Sequence, residues 1–195
     1  AKNKVQTKQF GEMLFAHFGV TGPIILSASH TVTKLLKKKV DPITIEINLK
    51  PALSREVLDK RVQRDFSESQ NKQLVNVLKG LLPSKLIPVI CELARLEGTK
   101  AIHDITKEER LRLVDTIQHM RLTVHKPRPI AEAIVTAGGI SVKEVDPKTM
   151  QSKLVHGLYM AGEVLDVDAF TGGYNLQVAF STAYVAATHA AEGGV

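Results

Sequence analysis

Between Ile43 and Leu49 the chain alternates, with Ile43, Ile45, Ile47 and Leu49 apolar and Thr44, Glu46 and Asn48 polar. A period of two sends one set to each face, which predicts a half-buried strand of an antiparallel kind. From Ser54 to Met120 the period becomes helical almost throughout. Ser54 caps a helix carrying Leu58, Val62 and Phe66, and Leu74, Val77, Leu78 and Leu81 mark a second that Pro83 ends. Val89, Ile90, Leu93 and Ala94 mark a third. The sharpest start signal is Thr106-Lys-Glu-Glu109, a capping box in which hydroxyl and carboxylate each satisfy the other residue's amide. It opens a helix with Leu111, Leu113, Val114, Ile117, Met120 and Arg121 along it. The pattern describes a small helical subdomain, about residues 54 to 120, on a sheet.

The flanks read differently. Glu12 to Phe18 predicts a strand, and Thr21-Gly-Pro23 a helix start with Thr21 as cap and proline in the first turn. Ile25, Ala28, Val32 and Leu35 give that helix one apolar face, and it runs out near Lys37 to Lys39. After Leu122 to Lys126 alternates again, Pro127-Arg-Pro129 stiffens the chain. Ala133-Ile-Val135 reads as a short strand entering Thr136-Ala-Gly-Gly139, with extended chain from Ile140 to Val145 and a turn at Asp146-Pro147. Leu158, Tyr159, Met160 and Ala161 form an apolar tetrad, the pattern of a parallel strand covered on both faces, and Gly162-Glu163 follows it. After an acidic loop come Thr171-Gly-Gly-Tyr-Asn-Leu-Gln177 and a helix with Leu176, Ala179, Phe180, Ala183, Tyr184 and Ala187 at helical spacing. Small residues on its other faces predict burial on most sides.

Composition adds a boundary. The 195 residues, 44% apolar, suffice for one domain or two small ones. Residues 1–128 hold 23 Lys and Arg against 13 Asp and Glu, a net of +10, whereas residues 129–195 hold 3 against 7, a net of −4; together they return the +6 of the whole chain. The charge break places the domain crossing near residue 128. The basic segment lacks interleaved aromatics and a glycine-rich recognition loop, so a solvated face is preferred over nucleic-acid binding, with an anionic substrate as a second use. No apolar run approaches a membrane span, and Cys91, the one cysteine, lies in an apolar run and has no disulfide partner. Both features fit a cytoplasmic protein. Cys91 reads as a core residue rather than a redox group.

The candidate chemistry gathers near the carboxyl end. A glycine turn aimed into a helix start leaves amides free and permits close approach, which suits an anion or an electron-rich ring. Taken alone, Gly172-Gly173 also suits an ordinary turn before a core helix, and Thr136 to Gly139 reads first as a glycine bulge in a hairpin, an order that only the later motifs reverse. Glu163, at the end of the expected strand, is placed to accept hydrogen bonds from a polyol or a backbone turn. Asp166 and Asp168 are assigned to loop structure, and His17 to a buried or turn-forming place. No zinc spacing and no Gly-x-Ser-x-Gly elbow occurs, and no catalytic acid or base can be assigned.

Taken together, Gly11 to Pro23, Val135-Thr-Ala-Gly-Gly-Ile140, Thr149 to Lys153, Gly157 to Asp168 and Thr171 to Phe180 resemble the carboxyl-terminal half of bacterial FAD-dependent oxidoreductases related to glutathione reductase. Those are flavoproteins of the aminoacetone-oxidase-like or BaiN-like kind. The resemblance implies an α/β fold: the carboxyl-terminal part of a Rossmann-like FAD domain in residues 129–195, with an inserted sheet-and-helix, substrate-side domain in residues 1–128. It implies that Glu163 binds ribityl hydroxyls, that the backbone around Tyr174, Asn175, Leu176 and Gln177 faces the isoalloxazine, and that Gly162, Thr171, Gly172, Gly173, Thr136, Ala137, Gly138 and Gly139 complete the flavin side. A nicotinamide cofactor or oxygen and a small organic substrate would be the reaction partners. Ala169, Val178 and Ala183 depart from the family pattern, and no Gly-x-Gly-x-x-Gly occurs. The expectation is therefore a fragment lacking the Rossmann half that holds the diphosphate. The rival from another class is a non-catalytic module binding nucleic acid or an acidic partner through its basic helices.

Overall fold

A computed structural model describes residues 4–192. They fall into two compact units, Thr44–Val124 and the chain on either side of it, and the protein is of mixed α and β structure with small sheets.

The first flank opens with an antiparallel hairpin, β1 (Leu14–Ala16) and β2 (Gly19–Thr21), in register Leu14 with Thr21 and Ala16 with Gly19. Helix α1 follows over Pro23–Lys37. Its cap is Gly22 rather than Thr21, which ends β2. The reason is steric. Gly22 has φ 102°, and a Cβ there would lie 2.9 Å from Met13 Cα, so only glycine lets the chain reverse this close to the opposite strand. The amides of Ile25 and Leu26 bond to its carbonyl in place of a side-chain cap.

The middle unit contains the main core. Strand β3 (Ile43–Ile47) pairs with β4 (Met120–Val124), and Ile43 and Ile47 are buried as the alternation requires. Between them run α2 (Arg55–Ser67), the short α3 (Leu74–Val77), α4 (Ile87–Leu93) and α5 (Lys107–Gln118). Leu58, Val62 and Phe66 on α2 meet a core that includes Ile90 of α4 and Leu113, Val114 and Ile117 of α5. The expected second helix is broken: α3 tightens into a 3₁₀ turn at Leu78–Gly80, because Gly80 and Pro83 favour no longer helix. Cys91 is buried, and burial pushes its thiol up, as befits an unreactive core residue. Arg110 ties α5 to α2 with Nε donating to Asp59 Oδ1 at 2.8 Å. Burial alone would raise Asp59, but the bonds from Arg110 and Gln63 outweigh it and hold it below the usual range.

The capping box of α5 is complete. Thr106 Oγ1 accepts from the Glu109 amide at 3.2 Å, and a Glu109 carboxylate oxygen accepts from the Thr106 amide at 2.8 Å. Lys100 Nζ lies 2.8 Å from both Glu109 oxygens, and chiefly through that contact Glu109 sits below its usual value.

Of the second flank, α6 (Tyr174–Glu192) is its one long helix. Ahead of it come 3₁₀ turns at Ile130–Glu132, Val142–Glu144 and Gly162–Val164 and a few isolated bridges. Two strand expectations fail here. Ala133 to Val135 is irregular, and Leu158 to Ala161 contributes only the antiparallel bridge of Tyr159 to Gln151, with Leu158 45% exposed. An apolar tetrad becomes a parallel strand only beside strands that accept it, and the described residues supply none. The core of this unit is small: Val145, Met150, Leu165 and Ala186, with Ile140, Tyr159, Val167 and Val185 around it.

Thr106→Ala should lower stability by about 1 kcal/mol in denaturant unfolding, through loss of the cap. Glu109, with a folded value below its unfolded one, adds stability above the unfolded value and loses it as pH falls through the folded one. Lys100→Met should therefore move acid unfolding, followed by circular dichroism, to higher pH.

Candidate functional site

The site expected from the sequence is assembled from three pieces of the flanking unit. The first join is backbone. Ile140 N donates to Val164 O at 2.8 Å and Asp166 N to Ile140 O at 2.9 Å, a one-residue parallel bridge. Gly139 makes it possible: a Cβ there would lie 2.5 Å from Val164 O, at φ 140°. This glycine is spent on the protein's own packing. Gly138, φ 112°, faces open space, and Thr136 and Ala137 are exposed.

The second join seats Gly162 against α6. Its amide donates to Thr182 Oγ1 at 3.0 Å, and the Thr182 hydroxyl in turn bonds to Val178 O at 2.7 Å. With φ 73°, Gly162 turns the chain so that Glu163 stands exposed in the 3₁₀ turn, without a hydrogen-bond partner among the described residues. Glu163 thus does not sit at the end of a buried strand; its carboxylate is free in solvent.

The third join holds the loop ahead of α6. Asn175 brackets Ala169, its Oδ1 accepting from the Ala169 amide at 2.8 Å and its Nδ2 donating to the Ala169 carbonyl at 3.0 Å. Each such bond contributes about 1 kcal/mol to ordering the loop. Thr171 is fixed from α1, with its hydroxyl 3.2 Å from Pro23 O and 2.9 Å from Ser27 Oγ. One turn further along α1, His30 Nδ1 contacts Asp168 Oδ2. Held at both sides, the Gly172-Gly173 turn enters α6 at φ 125° and 89°, and neither amide has a partner among the described residues. Open space surrounds the missing Cβ of Gly173, so a flat ring could approach the backbone there. Tyr174, Leu176 and Gln177 are exposed, and the Gln177 amide bonds within the turn to Gly173 O at 2.9 Å.

Helix α6 is far less covered than its small residues suggested. Leu176, Phe180 and Tyr184 are 63%, 69% and 76% exposed, and only Ala186 is buried. Ser27 and His30 carry no signal of their own in the sequence, because Ser29 and Thr31 also interrupt the stretch from Pro23 to Val32 and nothing in the spacing singles out the pair. Asp168 was assigned to loop structure, and it does anchor the loop, but through a histidine. His17 stands in the β1–β2 turn with its ring edge-on to Phe18. Among the described residues no group of three or more His, Cys, Asp or Glu side chains could hold a metal, and no helix is long and apolar enough to cross a membrane.

These features define a mixed α/β protein with an open glycine turn at the start of a long helix, its amides without partners among the described residues, and an exposed carboxylate next to the Gly162 turn, which packs further along that helix. Residues 1–135 match the model of the HI0933-like protein barrel and H2TH domain, and the chain belongs to that family. In the described part of that span the strands form short two-stranded sheets. The chain is 34% identical over 178 residues to a ribosomal RNA dihydrouridine synthase of Haemophilus influenzae, covering 91% of this chain and 42% of that protein. It is 29% identical over 189 residues to a 3-dehydro-bile acid delta(4,6)-reductase of Clostridium scindens, covering 97% and 46%, and 29% identical over 175 residues to a ribosomal RNA dihydrouridine synthase of Escherichia coli, covering 90% and 41%. It therefore spans less than half the length of each of these relatives.

The contacts predict a graded response to two neighbouring substitutions. Both Gly138→Ala and Gly139→Ala force a side chain into a strained conformation, of order 1–3 kcal/mol. Only Gly139→Ala also drives a Cβ against Val164 O. It should depress the thermal midpoint well below that of Gly138→Ala in parallel melts.

Proposed function

We propose that this chain supplies the flavin side of an FAD-dependent reductase acting on a carbon–carbon double bond conjugated to a carbonyl. The observation that carries the reading is the Gly172-Gly173 turn at the start of α6, braced by Asn175 and Thr171 yet with its amides unpartnered among the described residues. Unpaired amides at a helix start favour the electron-rich carbonyl edge of a flavin ring, and the free Glu163 carboxylate is available to ribityl hydroxyls. FAD would supply hydride transfer, while these residues bind and orient it. The names of the relatives fit: making dihydrouridine and reducing a delta(4,6) 3-oxo steroid both saturate a double bond conjugated to a carbonyl.

In this reading a reduced nicotinamide is the electron source, and a Rossmann-like portion outside these 195 residues holds the diphosphate, since no Gly-x-Gly-x-x-Gly is present. The bare Leu176, Phe180 and Tyr184 stripe of α6 is the kind of apolar face that further chain covers. The 195 residues alone would bind FAD weakly or not at all.

The full-length protein carrying this sequence should purify with one FAD per chain, and Glu163→Gln should weaken FAD binding about tenfold, read by titration of the apoprotein. A colourless preparation that takes up no FAD would sink the proposal.

A further inference from the structure

The flavin reading provides a hydride but no proton, and reduction of a conjugated double bond consumes both. Helix α1 offers one polar pair beside the proposed flavin turn. His30 Nδ1 contacts the Asp168 carboxylate, so Asp168 fixes which ring nitrogen faces the protein and leaves Nε2 for another partner. The ring is not sealed: its side chain is 41% exposed, against 27% for Asp168. The pair is also tied to the turn. Asp168 lies three residues before Thr171, and Thr171 bonds to Ser27, one turn before His30 on the same helix face. Two successive contacts therefore join the Ser27–His30 face of α1 to the loop that runs directly into Gly172-Gly173. A carboxylate bonded to Nδ1 of an imidazole is the arrangement that holds the ring in one tautomer and stabilises its protonated form while Nε2 exchanges a proton with substrate.

We propose that His30 is the proton donor of the reaction, with Asp168 as its positioning residue. This rests on the flavin reading above. The balance is a two-hydrogen addition. FAD, when bound and reduced, would supply the hydride, two electrons and one proton, for the new C–H bond at the carbon β to the carbonyl. The π electrons of the double bond shift toward the carbonyl, and the Nε2–H bond of the His30 imidazolium breaks as its proton forms the C–H bond at the α carbon. Water returns a proton to His30, and a reduced nicotinamide would supply the two electrons consumed.

The experiment uses the full-length holoprotein, reduced anaerobically and mixed in a stopped-flow instrument with one of three oxidants: a uridine-containing ribosomal RNA transcript, 2-cyclohexenone, or ferricyanide. Ferricyanide accepts electrons without needing a proton at carbon. His30→Asn should keep its flavin and its ferricyanide reoxidation, yet lose at least about 100-fold in reoxidation by whichever double-bond substrate the wild type reduces. Added imidazole should restore part of the rate to His30→Ala. Asp168→Asn should give an intermediate loss together with a changed ¹⁵N tautomer signature of the His30 ring. Equal double-bond reduction by wild type and His30→Asn overturns the assignment and leaves the flavin reading standing. Loss of flavin, or an equal slowing toward ferricyanide, also overturns it, since His30 would then act only as a brace for the loop. A wild type that holds flavin and reduces ferricyanide but neither double-bond substrate overturns the proposed reaction, and the donor role falls with it.

Discussion

The site side of this protein depends on one close backbone approach. Gly139 lets the carbonyl of Val164 come within a distance that any Cβ would forbid, and the Ile140 bridge to Val164 and Asp166 closes around it. That bridge fixes the start of the acidic loop. Gly162, in the same turn, then hands the chain to α6 through the Thr182 hydroxyl. Remove the approach at Gly139, and the 136–140 stretch has no other backbone bond to the 162–168 segment. A unit whose core is as small as Val145, Met150, Leu165 and Ala186 has little apolar burial to compensate.

Local signals were legible in the sequence wherever the physics itself is local. A cap is decided within four residues, so Ser54 and the Thr106–Glu109 box stand where the pattern put them, and helical spacing located the buried faces of α2 and α5. The failures share the opposite character. Whether Leu158 to Ala161 becomes a strand depends on a neighbouring strand, which no pattern inside the tetrad can reveal. Whether Gly22 or Thr21 caps α1 depended on Met13, nine residues before Gly22 and just ahead of β1. At the site, the glycines and the start of α6 were visible as a pattern, whereas the contacts across 144 and 148 residues from Thr171 to Ser27 and Pro23 were not.

Helix α6 shows how composition misleads. Its many alanines suggested burial on most sides, and small residues do allow close packing. They do not require it. What decides burial is the presence of a partner surface, and within its unit α6 meets one along Val185 and Ala186 and at the Gly162 turn. The Leu176, Phe180 and Tyr184 stripe meets no such surface among the described residues, so the same sequence that looks like a core helix stands there as a half-covered one.

The hydrogen-bond inventory also narrows which groups remain for a ligand. Asn175 spends both ends of its amide on Ala169, the Thr171 hydroxyl is engaged by Pro23 and Ser27, and the Gly162 amide belongs to Thr182. Gln177 donates to Ser181, and Gly139 is filled by Val164. These residues shape the turn rather than read what binds to it. Among the described residues, the Gly172 and Gly173 amides, the Glu163 carboxylate and Nε2 of His30 have no hydrogen-bond partner. Backbone amides recognise a carbonyl edge wherever it occurs and confer little selectivity. Selectivity for whatever binds at the turn must therefore come from side chains rather than from the turn's own amides.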